Sequence, residues 1–136
     1  MSEARRASIV IVDASAILAL LHGEPGGSTV AATADHLLMS AVNYSEVVAK
    51  LAERGASREN AEFMLSAIVV EVVPFDAAQA VDAGMLRPVT RSLGLSFGDR
   101  ACLALGRQRS VPVLTADRHW LDVDLGIDIR LTRPRD

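Results

Sequence analysis

The feature that most constrains the fold is a run of four β-branched residues, Ile9 to Val12, which ends at a carboxylate, Asp13. A strand with one solvent-exposed face alternates apolar and polar residues. This unbroken apolar run therefore predicts a central parallel strand that is covered on both faces. The Ser-Ala-Ile-Leu-Ala-Leu-Leu that follows has the apolar period of a helix. Asp13 is therefore expected between a buried strand and a helix, at the edge where open α/β sheets bind ligands.

The same alternation of strands and helices continues along the chain. Further strands are predicted at residues 37–42, 69–73, 111–115 and 127–131. Helices are predicted at 28–34, at 43–54 with Gly55 as its stop, at 58–68, from Asp76 to about 87, and from Phe97 or Asp99 to 109, after a loop at 92–98. This order predicts an α/β three-layer sandwich with a central parallel sheet of about five strands flanked by helices.

Length and composition are consistent with one domain. The chain has 136 residues, half of them apolar, which suits a single domain over residues 1–136 with a disordered tail at 133–136. Its apolar runs stop well before the ~20 residues that cross a bilayer. The first residues lack the apolar segment of a secretory signal. A cytoplasmic location is therefore expected.

Charge and cysteine content limit the kinds of partner and metal site that the chain can have. The formal net charge of −3 argues against a broadly basic nucleic-acid surface. However, thirteen of the fourteen basic residues are arginines, which bind phosphates well, and the exception is Lys50. The single cysteine, Cys102, excludes an internal disulfide and a cysteine-based metal site, and it is interpreted as a small core residue.

Four carboxylates fall at the ends of the predicted elements. Asp13, Glu46 and Asp117 follow the first, second and fourth strands, and the carboxyl ends of parallel strands share one edge of a sheet. Asp99 can join them if its helix packs beside the fourth strand. Each is separately explained as a helix cap, with capping boxes predicted for Asn43 to Glu46 and for Ser96 to Asp99. Four caps need not converge, whereas clustered carboxylates bind cations, so the group together predicts a divalent-metal site.

The residue types indicate which metal. The three histidines, His22, His36 and His119, have no second histidine or cysteine at a ligand spacing, which disfavours zinc. Carboxylate oxygens, completed by water and phosphate, suit Mg²⁺ or Mn²⁺.

Four motifs resemble those of the PIN-domain ribonucleases, and in particular the VapC toxins of bacterial VapBC toxin–antitoxin systems. They are Ile-Val-Asp13-Ala-Ser-Ala, Ser-Ala-Val-Asn-Tyr-Ser-Glu46-Val, Leu-Ser-Phe-Gly-Asp99-Arg-Ala-Cys-Leu-Ala-Leu and Leu-Thr-Ala-Asp117-Arg. They occur in this order over nearly the whole chain, and the third is the most specific.

The resemblance implies a PIN-like fold and a metal-dependent endoribonuclease. It implies that Asp13, Glu46, Asp99 and Asp117 form an acidic quartet holding one or two Mg²⁺ or Mn²⁺ ions, with polar Ser15 and Thr115 beside it. It also implies cleavage of RNA, often tRNA or rRNA, by metal-activated water, a VapB-type antitoxin partner and a homodimer. Nearby arginines such as Arg100 and Arg118 are candidates for holding phosphates, although ordinary surface charge is the simpler interpretation.

Two other classes of function remain open at this stage. A receiver-type phospho-acceptor domain shares the length and the acidic edge, but it needs a lysine at the tip of the last strand, whereas Lys50 lies in a predicted helix. A non-catalytic binding module whose acids are only caps is the second alternative.

The helical segments carry many apolar side chains. Their number is larger than one helix layer of so small a domain needs to bury against the sheet. Two accounts remain open: all of these side chains face the sheet, or part of them forms an exposed groove that takes an amphipathic partner helix. The residues concerned are Ile17, Leu18, Leu20, Leu21, Val47, Val48, Leu51, Phe63, Met64, Leu65 and Ile68.

Overall fold

The computed structural model describes residues 7–132, and the tail expected to be disordered lies outside them. Five parallel strands form one sheet in the order β3-β2-β1-β4-β5. The strands are β1 Ala7–Val12, β2 Ala34–Ser40, β3 Val70–Val73, β4 Val113–Thr115 and β5 Ile129–Leu131. The predicted parallel sheet of about five strands is confirmed.

Helices connect the strands. They are α1 Ala14–Leu21, α2 Gly27–Thr33, α3 Ala41–Glu53, α4 Arg58–Ser66, α5 Ala77–Met85, α6 Arg87–Thr90 and α7 Phe97–Arg109. Short 3₁₀ turns occupy Arg91–Leu93 and Arg118–Asp122. The predicted loop at 92–98 is thus partly helical at both ends. Within residues 7–132, no helix combines the length and the apolar character needed to span a bilayer.

Alternating residues of the central strands divide the core into two layers. Val10 and Val12 of β1 pack with α1, α2, α3 and α4, whereas Ile11 packs on the opposite face with α5 and α7. In the same way Met39 faces the first layer and Leu38 the second. A strand buried on both faces needs apolar residues at every position, which explains the unbroken part from Val10 to Val12, whereas Ile9 is 36% exposed.

The start of α3 differs from the prediction. The apolar run at 37–42 predicts a strand with the helix beginning at Asn43, but β2 ends at Ser40, whose side chain caps α3 by accepting from Val42 N. Glu46 is therefore one and a half turns inside the helix, and the predicted capping box from Asn43 to Glu46 is wrong. A buried strand that passes directly into a buried helix stays apolar throughout, so hydrophobic pattern alone misplaces the boundary.

The strand order creates one switch point in the sheet. The chain moves from β1 to β2 and β3 on one side, and then crosses to β4 and β5 on the other. Connections at the carboxyl ends of β1 and β4 therefore diverge, and the gap that they leave is where open α/β sheets bind ligands.

Candidate metal-binding active site

A cleft of about 440 Å³ opens at the switch point, and we call it the acidic cleft. It brings together all four carboxylates singled out in the sequence. Its lining residues are Asp13, Ala14, Ser15, Leu18, Asn43, Glu46, Ala49, Lys50, Glu53, Asp99 and Asp117.

Asp13 is the buried member of the four, with only 5% of its surface exposed. It caps α1, since its Oδ1 accepts from Ala16 N at 2.9 Å and from the Ser15 hydroxyl at 2.7 Å. The Thr115 hydroxyl at the end of β4 donates to Oδ2. Burial raises the pKa of Asp13 from its ordinary value of 3.8 to about 6, these hydrogen bonds oppose the rise, and the charge of Asp99 adds to it.

Asp117 is tied to the same strand ends. Its backbone N donates to Thr115 Oγ1 at 3.0 Å, and its carboxylate caps the 3₁₀ turn by accepting from His119 N at 2.9 Å. Ser15 Oγ accepts from Ala116 N at 3.0 Å. The ends of β1 and β4 are thus joined through Ser15 and Thr115.

Glu46 reaches the cleft from α3 and is held by Asn43, one turn earlier. Asn43 Nδ2 donates to Glu46 Oε1 at 2.9 Å and to the Gly98 carbonyl at 3.0 Å, which joins α3 to α7. A Cβ atom at residue 98 would overlap the carboxylate of Glu46, so only glycine there leaves room for this carboxylate. Sequence reasoning missed both Asn43 and Gly98 as site residues, although the spacing of Asn43 and Glu46 on one helix face was a usable signal.

Asp99 enters from the start of α7, where the predicted capping box is confirmed. Asp99 N donates to Ser96 Oγ at 3.1 Å, and Ser96 N donates to Asp99 Oδ2 at 2.9 Å. Behind this turn lies Cys102, fully buried as expected, and burial raises its pKa, with the charges of Asp13, Asp99 and Glu46 contributing to the rise.

The four carboxylates share a cleft without forming a closed cage. Within residues 7–132, no three Asp, Glu, His or Cys side chains stand close enough to hold an ion among themselves. Backbone N–H groups hold the carboxylates of Asp13, Asp99 and Asp117 in capping positions. Mg²⁺ in proteins keeps several waters and binds through one or two carboxylates, so a site for it does not require a closed cage.

Arg100 and Arg118 are not among the residues lining the acidic cleft in the described part of the chain. Arg100 turns toward α5, where its Nη1 donates to the Ala83 carbonyl at 2.9 Å, and its guanidinium lies 5.8 Å from the Phe97 ring centroid. Lys50, for which the sequence alone indicates a helical position and no role at the site, does line the cleft.

These features define a parallel α/β protein with a carboxylate-rich cleft at the switch point of its sheet. The model of the PIN domain family matches residues 10–125, so the chain belongs to the PIN domain family, a family of nucleases. This membership excludes the receiver-type alternative. A sequence comparison with curated proteins finds no significant match.

Solved structures with the same fold cover nearly the whole chain. VapBC2 from Rickettsia felis, bound to a DNA fragment of its promoter, has a TM-score of 0.72 at 12% identity and covers 90% of this chain and 98% of its own. VapC20 from Mycobacterium tuberculosis, a toxin that cleaves the sarcin–ricin loop, has a TM-score of 0.70 at 19% identity, covering 88% and 98%. DNA-bound VapBC from Salmonella typhimurium has a TM-score of 0.70 at 17% identity, covering 90% and 97%. At these identities the likeness concerns the fold.

Proposed function

We propose that this protein is a divalent-metal-dependent endoribonuclease and the toxin component of a toxin–antitoxin pair. The observation that carries the proposal is the meeting of Asp13, Glu46, Asp99 and Asp117 in one open cleft of a PIN fold. Three of these carboxylates also act as helix caps. Capping alone does not require them to share a cleft, whereas carboxylates brought together favour a bound cation.

The donors in the cleft fit Mg²⁺ or Mn²⁺. Besides the carboxylates, Asn43 lines the cleft, and its buried Oδ1 accepts no hydrogen bond within the described part of the chain. Among the described residues, neither histidine nor cysteine lines the cleft, so the donors are oxygens, which these ions prefer. Asp13 and Asp99 are proposed as the main direct ligands, with Glu46 and Asp117 completing the site directly or through water.

The metal, when bound, lowers the pKa of a water molecule and offsets charge on the phosphate. The protein's own residues hold the carboxylate ligands in position. Ser15 and Thr115 keep the Asp13 carboxylate at the mouth of the switch point, and Asn43 keeps Glu46 directed across to α7. Asp13 must be ionised to act as a ligand, and its hydrogen bonds favour the ionised form against the effect of burial.

The proposed substrate is single-stranded RNA within tRNA or rRNA. The fold is shared with a toxin that cleaves the sarcin–ricin loop, which supports this class of substrate. The test is cleavage of total tRNA and rRNA by the purified protein. Activity should vanish in excess chelator, return with Mn²⁺ or Mg²⁺ and not with Zn²⁺ alone, and vanish in Asp13→Asn and Asp99→Asn. Full cleavage in excess chelator would contradict the metal-dependent mechanism.

An antitoxin of the VapB type is the proposed partner. Among the apolar helical residues, Ile17, Val47, Leu51 and Leu65 are buried, whereas Phe63 is 77% exposed. Two depressions lie near α4, one lined in part by α4 itself and the other by residues just after its end. One is lined in part by Leu51, Phe63 and Met64, and the other by Leu20, Leu21 and Ile68. They fit an amphipathic helix.

A homodimer is also proposed. Val81, Met85 and Val89 lie at successive four-residue intervals on α5 and α6, and each is more than half exposed. Sedimentation analysis should show a dimer that Val81→Glu weakens, whereas a monomer at micromolar concentration would contradict the dimer.

A further inference from the structure

Two cationic side chains follow Glu46 along α3, one in its last turn and one at its C-cap. Lys50 and Arg54 follow Glu46 at intervals of four residues, so the three lie along one face of the helix. Lys50 is the one cationic residue among those that line the acidic cleft in the described chain. Arg54 lines an adjoining depression of about 390 Å³, which shares Ser15 and Leu18 with the cleft.

Neither Lys50 nor Arg54 forms a strong ion pair with the described residues. Lys50 Nζ lies 3.8 Å from Glu53 Oε1, and both side chains are more than half exposed, so this pair contributes little. Arg54 Nη1 lies 2.9 Å from His22 Nε2, and the described residues place no carboxylate within ion-pair distance of Arg54. By contrast, Arg58 is paired with Glu62 on α4.

The position of Arg54 at the end of α3 has a simpler partial explanation, since cations are favoured at helix carboxyl ends. Lys50 lies in the last turn of α3, so the same explanation applies to it in part. It does not account for the place of Lys50 in a cleft with five carboxylates: Asp13, Glu46, Glu53, Asp99 and Asp117. A phosphodiester entering this cleft is repelled by all five. Bound metal offsets that charge at the scissile phosphate, but the neighbouring phosphates need cations of their own.

We infer that Lys50 and Arg54 bind successive phosphates of the RNA strand as it leaves the acidic cleft along α3. This rests on the proposed ribonuclease function and names its substrate path. One helical turn separates the two residues by about 6 Å along the axis, which is comparable to the distance between adjacent phosphates of an extended single strand. Phosphate contacts of this kind position the strand without reading its sequence.

Binding is measured by fluorescence anisotropy with a short labelled single-stranded oligoribonucleotide and Mn²⁺, in an Asp99→Asn background that prevents cleavage. Lys50→Gln and Arg54→Gln should each weaken binding by about three- to tenfold. Each should also lower the slope of log affinity against log salt by roughly 0.7, the value for one phosphate contact on a single strand. Glu53→Gln should strengthen binding, because it removes one of the five carboxylates that repel the phosphates.

Strand direction gives a second readout, in the cleavage-competent protein. Shortening a cleavable oligonucleotide stepwise from one end should abolish the effect of Arg54→Gln on the KM before it abolishes that of Lys50→Gln. Arg58→Gln is the matched control, because it removes an equal charge from an exposed site on α4 and should leave both the affinity and the salt slope unchanged.

The outcomes separate this inference from the function on which it rests. If the unaltered protein cleaves RNA with Mn²⁺ while Lys50→Gln and Arg54→Gln behave like Arg58→Gln, the phosphate path is wrong and the nuclease assignment stands. If the unaltered protein neither cleaves nor binds RNA with Mn²⁺, the nuclease assignment fails and the path fails with it.

Discussion

At the scale of single residues, Gly98 links two of the four carboxylates. A methyl group at this position would meet the carboxylate of Glu46, which is the far end of a flexible side chain and can move aside. Gly98→Ala should therefore lower RNA cleavage by tenfold or more while changing the melting temperature little, because alanine also favours the helix by up to about 1 kcal/mol. Cleavage rate and thermal denaturation measure the two effects separately.

Gly84→Ala is the control for that change. Residue 84 lies in α5, and a methyl group added there would have no neighbouring atom within 4 Å, so the variant should be slightly more stable and fully active. A loss of stability in Gly98→Ala alone, with cleavage unchanged while the variant is folded, would mean that Gly98 serves packing and not the position of Glu46.

Asp13 gives a pH-dependent prediction. Burial raises its pKa to about 6 in the folded protein, so the folded state holds the proton more tightly than the unfolded chain does. The stability that protonation contributes is present below pH 3.8 and is lost as the pH rises through 6. At pH 8 without metal, Asp13→Asn should raise the free energy of unfolding by up to about 3 kcal/mol, since each pH unit between the two pKa values corresponds to about 1.4 kcal/mol.

Urea denaturation in chelator at pH 4 and pH 8 tests this difference. The gain in the free energy of unfolding caused by Asp13→Asn should be small at pH 4. At pH 8 this gain should become smaller when Mn²⁺ is added, because Mn²⁺ stabilises the unaltered protein. Asp124→Asn, at an exposed position, should show neither effect. A variant Asp13→Asn that is less stable at pH 8 would instead indicate that capping dominates.

At the scale of elements, the amino terminus of α7 both stabilises the helix and positions a carboxylate of the acidic cleft. Ser96 caps the helix, and its backbone N–H also holds Asp99. Ser96→Ala should cost about 1 kcal/mol of stability, as for other lost caps. It should also reduce cleavage, because the turn that presents Asp99 loosens.

Ser57→Ala is the control that separates the effect of a lost cap on stability from its effect on cleavage. Ser57 is an exposed cap of α4 that accepts from Asn60 N at 3.1 Å, outside the acidic cleft. Its loss should cost a similar amount of stability, measured by thermal denaturation, with cleavage unchanged at a temperature where both variants are folded. Equal cleavage by the two variants would show that the Ser96 cap serves stability alone.

At the scale of the whole molecule, the acidic cleft and the apolar depressions lie along the same helices. A partner helix in the depressions can extend toward the cleft and place an Arg or Lys among the four carboxylates, which would displace metal. Co-expression with the product of the adjacent reading frame should give a tight complex that neither binds Mn²⁺ nor cleaves RNA. A complex that binds Mn²⁺ as well as the free protein does would refute displacement while leaving the groove intact.

The sequence by itself determined the sheet class and the edge at which the carboxylates fall. Val10 to Val12 are fully buried, as an unbroken apolar run is in a central parallel strand, and residues that follow parallel strands share one edge of the sheet. The capping box of Ser96 and Asp99 was equally readable, because both partners lie within one turn. These features depend on local spacing and on the strand period.

Only the tertiary structure decided which residues meet across elements. The boundary at Ser40 was hidden because strand and helix are both buried there. The contact of Gly98 with Glu46 and the position of Lys50 in the cleft depend on how α3 packs against α7 and the sheet. Spacing along a chain reports neighbours within one element, whereas distances between elements are set by the packing of the whole core.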